Sequence, residues 1–137
     1  MLFLLDMLVH ELMRTHLVSL GETAMFSEAV DILDLYQLPW VAVTDNDGAL
    51  VGVLLDSLVV EASKLSTEEL SALGTRKVSD LIVRLPVVKP EDDAMVLPLP
   101  DDLEARWIPV VDNDRHLVGM LDRVTVTQAG LDLLASL

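Results

Sequence analysis

A nine-residue block written twice constrains this chain more than any other feature. Residues 45–53 read DNDGALVGV and residues 112–120 read DNDRHLVGM, an offset of 67 from Asp45 to Asp112, with Asp, Asn, Asp, Leu, Val and Gly in register. A β-rich run precedes each copy, WVAVT before the first and WIPVV before the second. Upstream, VHELM at 9–13 matches VSDLI at 78–82, an offset of 69 from Val9 to Val78. Two blocks in one order at nearly one offset mean that a whole folding unit is duplicated.

The blocks have a clear local reading. VAVT and IPVV are short β-branched runs suited to strands buried on both faces. Asp45-Asn46-Asp47-Gly48 is turn chemistry, since Asn, Asp and Gly tolerate the positive φ of a tight hairpin. LVGV and LVGM are then the return strands. Between the blocks of the first copy, Phe26, Ala29, Val30, Leu33 and Tyr36 repeat at helical spacing, predicting a helix from Ala24 to Tyr36 with Thr23 as N-cap. Asp56 is expected to cap a helix running to about Leu65, and Ser66 to Glu69 is a capping-box pattern whose helix ends at Gly74. A final helix is expected from Arg123 to Ala135. Asp6, His10 and Arg14 would form one polar stripe on an apolar N-terminal helix. The joint between copies falls at Gly74-Thr75-Arg76, giving segments 1–76 and 77–137.

Apolar residues make up 52% of the 137, which predicts burial within the fold and against a second copy. No run reaches the ~18 apolar residues of a membrane helix, and MLFLLDML lacks the basic start of a secretory signal. The net charge is −14, from 23 acidic against 9 basic residues, which disfavours nucleic acid and anionic membranes as partners. The lack of cysteine excludes disulfides, thiolate metal sites and cysteine nucleophiles, and fits a cytoplasmic protein.

No catalytic constellation is expected. His10-Glu11 opens like H-E-x-x-H, but Arg14 stands where the second histidine belongs. Asp45-Asn46-Asp47-Gly48 starts like a calcium loop, yet its glycine comes two places early and no later Glu completes it. The six glycines form no phosphate loop, and no G-x-S-x-G elbow occurs. Trp40 and Trp107 each precede a core strand; packing is their expected role, with base stacking the alternative.

Val9-His10-Glu11-Leu12-Met13, Ser27-Glu28-Ala29, and Ile108-Pro109-Val110-Val111-Asp112 through Leu117-Val118-Gly119 together resemble a tandem pair of cystathionine-β-synthase-type (CBS) domains, the Bateman module. The resemblance covers about residues 9–60 and 77–135. It implies an α+β fold of two β-α-β-β-α repeats packed about a pseudo-twofold axis, with clefts between the repeats. It also implies AMP, ATP or S-adenosylmethionine as ligands, no required cofactor, a homodimer, and a regulatory role toward another protein.

Departures from the family pattern locate the expected site. Ligand-binding members follow the return-strand glycine with hydrophobic-hydrophobic-Thr/Ser-x-x-Asp. The first copy has Leu55 and Leu58 at those polar positions, whereas the second has Asp122 and Thr125 in inverted order. Two internal prolines, Pro98 and Pro100, predict that the first helix of the second copy is shortened to a turn after Pro100. Thr15 falls where members present a ligand-contacting threonine; Arg84 and Arg123 either meet an anion together or, as the more ordinary role, pair with the surplus of Asp and Glu around them. The cleft candidates are thus Thr15, Leu17, Trp40, Leu55, Leu58, Arg84, Ile108, Pro109, Asp122, Arg123 and Thr125. The expected function is a non-catalytic regulatory module binding an adenosine-containing small molecule. The alternative is a degenerate pair that acts only in dimerisation or protein interaction.

Overall fold

Each Asp-led turn closes on its own side chain. Asp45 Oδ1 accepts from Asp47 N at 2.9 Å and Ala49 N at 3.0 Å; Asp112 Oδ1 accepts from Asp114 N and His116 N, both at 2.9 Å. Gly48 takes the left-handed conformation at φ 83, and Arg115 stands in the same place of the other turn at φ 64. The structure, a computed structural model, describes residues 7–97 and 106–137.

These turns join β2 (Trp40–Thr44) to β3 (Leu50–Leu55) and β4 (Trp107–Val111) to β5 (Leu117–Asp122), both antiparallel, each with one register shift beside the turn. β1 (Ser19–Gly21) lies parallel to β2, and Val88 makes the equivalent parallel bridge to Val110. The β-branched runs are buried as expected of strands covered on both faces.

The chain divides into two compact units, and they do not follow the sequence halves 1–76 and 77–137. One is Val18–Arg84; the other joins the chain up to Leu17 with Leu85–Leu137. The opening segment of each repeat is therefore packed with the body of the other. α1 (Val9–Leu12) is a single helical turn, after which Arg14 exchanges backbone hydrogen bonds with Met120 at 2.8 and 2.9 Å. In the Val18–Arg84 unit, the 3₁₀ turn Val78–Asp80 precedes Val83, which makes the same pair of bonds with Val53, both 2.9 Å. Val9 and Val78 are each fully buried in the unit they join.

Helices differ more between the units. α2 (Phe26–Tyr36) has Met25 in the N-cap position, its N–H held by Glu28 Oε2 at 3.3 Å, so the expected cap Thr23 lies outside the helix. α3 spans Asp56–Ala62, three residues short of expectation, with Leu55 in the cap position and Asp56 inside the first turn. α4 (Thr67–Gly74) carries the expected box, Ser66 Oγ with Glu69 N and Glu69 Oε1 with Ser66 N, both 3.2 Å. α5 spans Arg123–Ala135, as read from sequence.

The counterpart of α2 in the second unit is a 3₁₀ turn, Ala94–Val96, started by Asp93 Oδ1 accepting from Met95 N at 2.9 Å. The turn expected after Pro100 falls outside the described residues. Arg14 is also not helical, so no helical stripe from His10 to Arg14 forms; Asp6 lies outside the described residues.

Two cores result. The Val18–Arg84 core gathers Phe26, Ala29, Leu33, Val41, Val43, Leu54, Ala62 and Val78, and the other gathers Val9, Val88, Ala94, Ile108, Val110 and Leu121. In the second, Ala94 occupies the place that Phe26 takes in the first. Among the described residues no helix is long and apolar enough to cross a membrane.

Candidate functional site: a cation–aromatic–carboxylate cluster

The open end of the β4–β5 hairpin carries a connected cluster of charged and aromatic side chains. The antiparallel register sets Trp107 opposite Asp122, and Asp122 is also the N-cap of α5, its Oδ1 accepting from Val124 N at 3.0 Å. Arg106, one residue before the strand, turns back onto Asp122 in a two-pronged pair, Nε to Oδ1 at 2.7 Å and Nη2 to Oδ2 at 2.9 Å. Thr125 Oγ1 stands 3.5 Å from Oδ2. Arg123 N donates to Arg106 O at 2.9 Å, fixing that residue's backbone.

The Asp122 side chain is only 6% exposed, while that of Arg106 is 57% exposed. The guanidinium hydrogen bond holds the Asp122 carboxyl below the ordinary carboxylate range, against the effect of burial, and the Val124 amide adds to it. The same contact raises Arg106 further above its already high value. Asp122 is thus a buried carboxylate at any physiological pH.

Trp107 completes the cluster. Arg14 Cζ lies over its ring at 4.6 Å from the centroid and Arg106 Cζ at 5.6 Å. Cation–π contacts at exposed sites contribute about 0.5–1 kcal/mol each. Arg106 is neutralised by Asp122, but among the described residues no carboxylate forms a salt bridge with Arg14. Arg14 is thus an exposed cation over the Trp107 ring in a chain of net charge −14.

The predicted site residues divide. Asp122, Arg123 and Thr125 fall in this cluster; Thr15 is exposed and Leu17 half-buried in the same unit. Ile108 and Pro109 are buried, with Ile108 part of the unit's core, so neither side chain offers a face to a ligand. Trp40 is 2% exposed and lies opposite Leu55, which removes it as a stacking surface. Leu58 packs on the Phe26 core, and Leu55 is half-buried at the start of α3. Arg84 is exposed and ends the Val18–Arg84 unit, whereas Arg123 belongs to the other.

Arg14, Arg106 and Trp107 are the additions that the sequence reading left off its candidate set. The hairpin register was the available signal: once the turn is placed at Asp112, Trp107 must face Asp122, with Arg106 adjoining.

A second cluster sits in the turn itself. Asp112, Asp114 and His116 bring ligand atoms within 4.8 Å of one another. Asp112 Oδ1 is already committed to two turn amides, and the His116 amide is the main reason its carboxyl titrates low. That geometry is accounted for by the turn.

Comparison with known proteins agrees with this frame. Residues 9–64 match the family model described as CBS domain. A CBS domain-containing protein from Bacillus anthracis superposes at TM-score 0.72 with 22% identity, over 95% of this chain and 94% of that one. The chain has the fold of a CBS-domain pair. CBSX2, crystallised in complex with AMP, shares this pair's fold at TM-score 0.70 and 24% identity, over 93% of this chain and 98% of the other. A further CBS domain pair, crystallised with 5′-methylthioadenosine and S-adenosyl-L-methionine, superposes at TM-score 0.69 with 17% identity, over 90% and 94% of the two chains. No curated protein sequence matches this chain at a significant level.

Proposed function

We propose that this chain is a non-catalytic regulatory module that binds an adenosine-containing anion at Arg14, Arg106, Trp107 and Asp122, and reports its occupancy to a partner protein. The observation that carries the reading is Arg14, an exposed guanidinium 4.6 Å over the Trp107 ring, with no salt bridge to a carboxylate among the described residues. A purine can stack on such an aromatic–guanidinium surface, and a phosphate can pair with the guanidinium. The fold-mates solved with AMP and with S-adenosyl-L-methionine support adenosine compounds as the class to test.

A second reading has its own observation. In the other unit the residue equivalent to Asp122 is Leu55, which forms no side-chain cap, so that unit has no comparable polar centre. Val124, Leu131 and Leu134 of α5 are also exposed. Both features suit a module that works through self-association or docking alone.

Thermal denaturation with AMP, ADP, ATP, S-adenosylmethionine and NADH separates the two. A compound at 100 times its Kd stabilises the fold by ~2.7 kcal/mol. The expected result is a rise in Tm with an adenosine phosphate that shrinks in Arg14→Gln. No rise with any of the five at millimolar concentration overturns the binding reading and leaves the interaction module.

A further inference from the structure

Asp122 has no acceptor capacity to spare. A carboxylate offers about four lone-pair positions, and Asp122 Oδ1 receives Arg106 Nε and Val124 N while Oδ2 receives Arg106 Nη2 and faces Thr125 Oγ1. Half of that set comes from one residue, Arg106, whose side chain is more than half exposed. The other half comes from the first turn of α5, which Asp122 caps.

Resting on the binding site proposed above, we infer that Arg106 is an internal stand-in for the ligand. An anionic group on the ligand draws the guanidinium off Asp122, and the vacated lone pairs then accept from the ligand's vicinal hydroxyls. The two moves are tied together by burial. Removing Arg106 alone would leave a carboxylate 6% exposed without its counter-ion, which is costly. Hydroxyls alone cannot enter, because the ion pair already fills the positions they need. Only a ligand with both groups completes the exchange. The Trp107 ring lies under the guanidinium at 5.6 Å and can keep contact with it as it moves.

The device predicts a selectivity that simple contact does not. In the wild-type protein AMP binds and adenosine binds far more weakly. Arg106→Gln removes one of the two guanidinium groups that face the anion, Arg14 being the other, together with the occupant of Asp122. AMP is therefore expected to lose about tenfold in affinity and adenosine to gain about tenfold, factors in line with one charge-assisted hydrogen bond each. Arg106→Lys keeps the charge without the fork, so it should hold AMP within about threefold of wild type while adenosine gains less than in the glutamine variant.

Isothermal titration of AMP and adenosine into the three proteins, each checked for an intact melting transition, reads this directly. Opposite changes for the two compounds in Arg106→Gln support the exchange. If wild type binds AMP but adenosine affinity is unchanged or lower in Arg106→Gln, the exchange is overturned and the binding site stands. If wild type binds neither compound, the binding site itself fails and the exchange falls with it.

Discussion

Replacing Phe26 with alanine is expected to destabilise the protein by about 3–5 kcal/mol, the range for removing a fully buried aromatic side chain. Phe26 is the largest fully buried side chain of the Val18–Arg84 core, and it also starts α2, its amide donating to Arg76 O at 2.8 Å. The backbone bond survives the change; the loss is packing against Ala29, Leu33, Val41 and Val78. The other unit is built differently at this point. Ala94 fills the matching place there, its amide donating to Met7 O at 2.7 Å, but it opens one 3₁₀ turn rather than an eleven-residue helix. Urea unfolding of Phe26→Ala beside Leu35→Ala, a 73% exposed site on the same helix, checks the assignment. Leu35→Ala should stay within about 0.5 kcal/mol of wild type. Equal losses would mean that α2 is not seated as described.

Gly119→Val should cost about 3 kcal/mol, because the return strand passes too close to Arg14 for any side chain. A Cβ at Gly119 would lie 2.6 Å from Met13 Sδ and 3.0 Å from Arg14 O. The thioether can move, but the carbonyl accepts from Met120 N and cannot leave without breaking that bond. Gly52 is crowded in the same way by Ile82 and by Val83 O, each 2.9 Å away, so Gly52→Val should cost a similar amount. Their effects on ligand response should differ. Gly119→Val pushes the segment that places Arg14 over Trp107, whereas Gly52→Val disturbs a unit with no such cluster. Stabilisation by AMP should therefore be lost in the first variant and kept in the second, at a temperature where both are folded. Loss in both would detach the cluster from the ligand response.

Much of this fold could be read along the chain because its signals are local. The Asp-led turns, the β-branched runs and the Ser66–Glu69 box each rest on residues within a few positions of one another, and all appear where the pattern places them. α5 begins and ends as read because Asp122 supplies its own cap. Other features depend on partners distant in sequence. Thr23 has the chemistry of an N-cap, yet the chain enters α2 two residues later, where Arg76 and Glu28 receive the first amides. The exchange of opening segments turns on Val9 meeting Val88 and Ala94, a contact that no local periodicity encodes. Arg106 was missed for the same reason, since its partner lies sixteen residues on, across the hairpin. Trp40 and Trp107 have equal standing in the repeat and unequal fates. Trp40 faces Leu55 across its ladder and is buried, whereas Trp107 faces Asp122 and shares its surroundings with two arginines.

That difference supplies the most direct test of the binding site. The two tryptophans give two indole N–H signals in a ¹⁵N-correlated NMR spectrum, assignable by Trp40→Phe and Trp107→Phe. Titration with AMP should move the Trp107 signal progressively and saturably while that of Trp40 stays in place. A spectrum in which neither signal moves, or only that of Trp40, would contradict the site described.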